Sequence, residues 1–362
     1  MNMHWDRRRI LKSGSAAAMV GGLAATMPRA TALAADEVPV RLWLQAQWWT
    51  DDYAAACAKA TGVEIHNTTT ISNPTTFSKL MAGGGRDADC VQIGGPFIPE
   101  LVEAGLLQPL DMKQIPNASA VYPDFQRPDY LFGKDGKQYG VAFVWGYDSL
   151  LYNADMVEPS DSLGVLYSDK YKGHIGLRDD AFFGLSTAAL YLRKEHPFAL
   201  AGKDLQEVKN FLISKKPIFR TFWSSFADCV TLMKNRDIWA TAGWLPIYWV
   251  LKRVEHMNVR YPVPKEGAPG WNACFVIPKE ARSVDAVHRF VNWMLSPGWT
   301  VPIATDKGYY AASRLGISEI PPDVRQAMNL DHVDELMKKL TWSSFPKNLQ
   351  DWTEAWTEFK AA

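Results

Sequence analysis

Runs that read as strands alternate with runs that read as helices from residue 40 onward, and this alternation limits the fold more than any other feature. Val40-Arg41-Leu42-Trp43-Leu44 reads as a strand, and residues 51–61 read as a helix ended by Gly62. Residues 63–66 form the next strand, 75–82 a short helix stopped by Gly83-Gly84-Gly85, 90–93 a buried strand, and 97–104 a helix ended by Gly105. Strands separated in this way by helices pair in parallel, in a sheet that the helices cover. Two strands are expected at 139–144 and 149–152, with Trp145-Gly146-Tyr147 between them. A second alternating series follows: strands at 174–177, 238–242 and 273–277, and helices at 182–194, 204–213 and 284–295. Near the end, Leu349, Trp352, Trp356 and Phe359 step by three and four residues, which is one face of a helix packed on the body of the protein.

The chain's 362 residues suffice for two domains with separate cores. Its N-terminus reads as an address. Arg7-Arg8-Arg9-Ile10-Leu11-Lys12 has the form of a twin-arginine signal, a short apolar stretch diluted by glycine follows, and Ala32-Leu33-Ala34 offers a cleavage site. Residues 1–34 are therefore expected to be a signal peptide, and the mature chain to be a soluble periplasmic protein. Removing their five basic residues and one acid from totals of 39 each leaves a net charge of −4, which argues against nucleic acid as a partner. Cys57, Cys90, Cys229 and Cys274 have no metal-ligand spacing; buried free thiols and disulfides both remain open.

Signatures of catalysis are missing. There is no Gly-x-Ser-x-Gly elbow, no phosphate loop and no His-Glu-x-x-His, and the seven histidines are scattered. The reading is a protein that is not an enzyme and has no cofactor or metal. What stands out is the 15 tryptophans, several of them at strand ends and turns. Trp48 follows the first strand, Trp145 and Tyr147 flank a glycine, Trp244 ends a strand, Trp271 follows Pro269-Gly270, and Tyr309 follows Gly308. Ligands of open α/β sheets bind beyond the carboxyl ends of the strands. Indole and phenol rings there supply apolar area and attract cations. By contrast, Trp43, Trp223, Trp239, Trp249, Trp293, Trp352 and Trp356 sit inside elements and are expected in the core.

Across most of its length the chain resembles the spermidine/putrescine-binding proteins of bacterial ABC importers. The likeness is carried by KATGVEI (59–65), VEAGLLQPLD (102–111), YGVAFVWGYDSLLYN (139–153), YKGHIGLRDDA (171–181), PGWNACFVIPKEA (269–281) and DKGYYAAS (306–313), in that order and spacing. The resemblance implies a two-lobed α/β periplasmic binding protein of type II, each lobe a mixed sheet flanked by helices, joined by crossing strands that hinge near Gly146 and Asn272. Lobe 1 is expected at 35–146 plus 273–317, and lobe 2 at 147–272 plus 318–362. The resemblance also implies binding residues at Asp180, Trp244, Trp271 and Tyr309, with others near 45–48 and 94–97. Two departures bear on the ligand: Phe183 and Ala273 stand where the family supplies further carboxylates. Buried ammonium groups without partners are expensive, so a smaller, mono-cationic or zwitterionic amine is expected. Arg178 is open to two readings, a clamp for a ligand's carboxylate or phosphonate, or a surface residue. The expected partners are that amine and an inner-membrane ABC permease, with the protein monomeric. Rival readings are a ferric-iron-binding protein, suggested by Tyr309-Tyr310, and a twin-arginine-exported periplasmic enzyme.

Overall fold

The computed structural model describes residues 39–344 and 346–362; the expected signal peptide and its cleavage point lie outside the described residues. In chain order the strands are β1 (Val40–Leu44), β2 (Ile65–Thr69), β3 (Cys90–Gly94), β4 (Leu107–Gln108), β5 (Gly140–Asn153), β6 (Ile175–Arg178), β7 (Phe219–Trp223), β8 (Ala240–Trp244), β9 (Val259–Arg260), β10 (Ala268–Pro278), β11 (Tyr310–Ala311) and β12 (Leu340–Trp342).

The opening β-α-β-α-β run forms as the sequence predicts. The hydroxyl of Thr50 caps the helix Asp51–Thr61 by accepting from Tyr53 N, and Gly62 ends it at φ 72°, a left-handed conformation that suits glycine. β1 then pairs in parallel with β2 on one side and β3 on the other. Arg41 is the one charged residue in β1, and it is matched by Asp89 just before β3. Arg41 reaches both Asp89 oxygens, and the backbone N–H groups of Arg41 and Arg282 donate to the same carboxylate. Burial alone would raise the Asp89 carboxyl, but these donors hold it below its usual range.

The strands join into one mixed sheet of order β2-β1-β3-β10-β5-β8-β6-β7, with β4 and β12 on β10 and β9 and β11 on β5. The β10/β3, β10/β5 and β5/β8 pairs are antiparallel, while β6 pairs in parallel with β7 and β8. The two strands expected around Trp145-Gly146-Tyr147 are one strand of 14 residues, all buried. The interruption inferred from Gly146 does not occur, because partners are present on both sides of it. Gly140 to Tyr147, all but Phe143, pair with β10, and Asp148 to Tyr152 pair with β8. The strand expected at 273–277 likewise extends back to Ala268. β7 and the helices Phe226–Lys234, Leu245–Arg253 and Pro297–Lys307 were not read from the sequence; prolines at the starts of the last two mask their helical character.

Apolar side chains gather on either side of the switch in β5. The larger core holds Trp43, Phe143, Phe275, Phe290 and Trp299. Beyond Tyr147, Leu150 joins a second core and Leu151 a third, as strand alternation requires of a sheet covered on both faces. The helix Leu349–Ala361 buries Trp352, Trp356 and Phe359 in the second core, the face expected from their spacing. Ile320, Val324, Met328, Leu336 and Leu340 belong to the larger core. β12 explains this, since it pairs with β10 at Ala268 to Gly270 and holds the preceding helices there. All four cysteines are buried and unpaired.

Candidate ligand site

Asp148 is the one charged residue in the sequence of β5, and it stands where that strand changes partners, Tyr147 facing Gly270 and Asp148 facing Trp244. Across the ladder, β10 sets Trp271 opposite Gly146. A Cβ at Gly146 would lie 2.5 Å from a Trp271 ring atom, so glycine is needed for the indole to cross the strand. Lying there, Trp271 donates through Nε1 to Asp148 Oδ1 at 3.2 Å.

Two further rings meet this indole. Trp48 closes the short turn Ala46–Trp48 beyond the carboxyl end of β1, with its ring centre 6.3 Å from that of Trp271. Tyr309 follows Gly308, which ends the helix Pro297–Lys307 at φ 69° and leaves room for Trp249. Its ring lies 5.9 Å from Trp48 and 6.4 Å from Trp271. The Trp48 Nε1–H is buried without a protein partner among the described residues. Burial raises the Tyr309 hydroxyl above its usual range, so it stays neutral.

The other wall comes from the ends of β6 and β8. Asp180 caps the helix Ala181–Tyr191 by accepting from Phe183 N at 3.0 Å, and its second oxygen lies 3.0 Å from Arg178 Nη2. Arg178 Nη1 donates to Asp148 Oδ2 at 3.2 Å. The guanidinium carbon sits 4.3 Å from the Trp244 ring centre and 4.7 Å from that of Phe183. Arg178 is thus 20% exposed and forms the hub of an ion cluster with Asp148 and Asp180. The side chain of Asp148 is 2% exposed. Burial pushes its carboxyl up to about 7; the Arg178 charge opposes that rise and the Asp180 charge adds to it.

The structure thus brings Trp48, Trp271 and Tyr309 together, brings Asp180 and Trp244 together, and links the two groups through Asp148 and Arg178. It does not bring Trp145 and Tyr147 to them. Trp145 is fully buried, stacked on Tyr310 at 4.4 Å and packed on Phe125 and Trp342. Tyr147 packs on Tyr261 at 5.2 Å. The cause is a bulge at Phe143: Cys274 pairs with Ala142 and Ala273 with Val144, so Phe143 has no opposite number and the alternation shifts. Phe143 therefore touches Trp48, and Trp145 touches the far side. Tyr309 and Tyr310 also part, since the Tyr310 hydroxyl donates to Met328 O. Asp179 turns away from Asp180 to accept from Trp356 Nε1 and Lys360 Nζ, both at 2.8 Å. Sequence reasoning missed Asp148. The available signal was a lone acid in an otherwise uncharged strand.

The sequence profile of the bacterial extracellular solute-binding protein family matches residues 52–330. The chain belongs to this family. The solute-binding protein is 24% identical to the putrescine-binding periplasmic protein PotF of Escherichia coli over 352 residues, covering 91% of this chain and 93% of PotF. It is also 24% identical to the putrescine-binding periplasmic protein SpuD of Pseudomonas aeruginosa, with 91% and 94% of the two chains covered. Among solved structures it is similar to a putative spermidine/putrescine ABC transporter protein from Listeria monocytogenes, at a TM-score of 0.77 and 23% identity, covering 89% of this chain and 98% of that one. This likeness matches the mixed sheet described above to the fold of periplasmic binding proteins.

Proposed function

We propose that this solute-binding protein is exported to the periplasm, captures a small mono-cationic or zwitterionic amine between two lobes and delivers it to an ABC permease, without a chemical step. The observation that carries this reading is the ring cluster of Trp48, Trp271 and Tyr309, tied by Trp271 Nε1 to the buried Asp148. Ring faces attract an alkylammonium and a buried carboxylate neutralises it. Asp148 is the acid assigned to the ligand, because it is the carboxylate bonded to the ring cluster itself, through Trp271, whereas Asp180 meets Arg178 and its helix cap. Relatives named for binding putrescine support an amine.

In this reading the lobes divide at Tyr147/Asp148 in β5, with Ile320 to Leu340 assigned to the first lobe and the helix Leu349–Ala361 to the second. The three rings pack on one another within the larger core, so the ligand is taken against them, and capture draws the lobe bearing Arg178, Asp180 and Trp244 toward them. The test is a thermal-shift screen of mono-amines, ω-amino acids, betaines, 1,4-diaminobutane and spermidine. Stabilisation of about 2.7 kcal/mol is expected at 100 times the dissociation constant. Small mono-amines or zwitterions should shift melting most, and Trp271→Ala should weaken the best of them by about tenfold or more. A larger shift with spermidine, or unchanged affinity in Trp271→Ala, would overturn the reading.

A further inference from the structure

Arg178 has everything around it that a bound organic cation would need. Two carboxylates, Asp148 and Asp180, lie at 3.2 and 3.0 Å from its two terminal nitrogens. Two rings, Trp244 and Phe183, stand 4.3 and 4.7 Å from its guanidinium carbon. Its side chain is only 20% exposed, although arginines are rarely buried. Moreover, one carboxylate is shared: Asp148 gives Oδ2 to Arg178 and Oδ1 to Trp271 of the ring cluster. Two cation-attracting sites therefore adjoin through a single buried acid, and one of them is filled by the chain itself.

We propose that Arg178 is a tethered cation that occupies one end of the ligand site and makes the protein select against amines carrying a second positive charge. The inference rests on the amine reading of the ring cluster and deepens it. A mono-amine needs only the rings and Asp148. A diamine would bring its second ammonium against a fixed guanidinium, with both carboxylates already engaged, and like charges in a partly buried site repel strongly. Removing the guanidinium leaves two carboxylates and two rings ready for that second ammonium.

The experiment is calorimetric titration of the wild type, Arg178→Ala and Arg178→Lys with 1-aminobutane and 1,4-diaminobutane, together with the melting of each in methylguanidinium. The wild type should prefer 1-aminobutane. Arg178→Ala should bind 1,4-diaminobutane more tightly than the wild type by about tenfold or more. Arg178→Lys, which keeps the charge, should show no such gain. Methylguanidinium should raise the melting temperature of Arg178→Ala and leave that of the wild type unchanged. If Arg178→Ala fails to fold, Arg178→Gln is read in the same way. A wild type that takes the diamine as tightly as the variant, or a variant that gains nothing for it, overturns the proposal. If no amine binds any of the proteins, the amine reading fails instead; the guanidinium response then decides for Arg178, rescue upholding the filled cation site and its absence overturning it.

Discussion

Asp148 is a single acid among the 14 buried residues of β5, and its protonation links the ligand site to the stability of the fold. Its carboxyl is pushed up to about 7, by burial first, with the Arg178 charge opposing. The unfolded chain holds the same group near ~4, so folding favours the protonated acid. Its stabilising contribution is therefore complete below that unfolded value and is lost as pH rises through about 7. Asp148→Asn, neutral throughout, should flatten the melting temperature over this window. In the wild type the ionised acid should also bring amine affinity up between about pH 6 and 8, and the substitution should remove that rise. Titrations at several pH values check both; a pH dependence of affinity unchanged in Asp148→Asn would detach this carboxylate from the ligand. The same scale shows why a lone acid was hard to read. Nothing in the local string distinguishes a buried Asp held by Trp271 and Arg178 from one at a turn, and those partners lie 123 and 30 residues away.

At the scale of elements, the crossing strands depend on glycine where a ring must cross them. Gly146 lies under Trp271, and a methyl group there meets the indole at 2.5 Å. Gly146→Ala should cost about 1–3 kcal/mol through overpacking and weaken ligand binding by displacing Trp271. Chemical denaturation and titration of the variant check the two effects, and a variant as stable and as tight-binding as the wild type would show that the indole can move without consequence. Elements with unbroken periodicity were legible: Val40–Leu44 and Asp51–Thr61 have the bounds read from sequence. Elements that open with proline, such as Leu245–Arg253 and Pro297–Lys307, were not. The bulge at Phe143 was illegible as well, because one extra residue in a ladder exists only relative to the partner strand. That one residue sends Trp145 into the core while Trp271, from another strand, reaches the site.

At the scale of the whole molecule, function in this reading is a change in how far apart two lobes stand. Small-angle scattering should give a smaller radius of gyration when the best amine from the screen is added, and Trp271→Ala should lose that contraction. No contraction on saturation would mean that capture does not draw the lobes together. The sequence by itself determined the alternating elements, the order of the family segments and which ring-bearing residues end strands or follow turns, because these depend on local periodicity and on glycine and proline. Tertiary structure alone decided that β5 runs unbroken from one sheet half to the other and that 320–340 packs with the larger core. It also decided which aromatic residues share a site and that Arg178 lies between two carboxylates and two rings. The physical reason is common to these. Each rests on pairing or charge contacts between residues far apart in the chain, and those energies exist only once the sheet has brought the partners together.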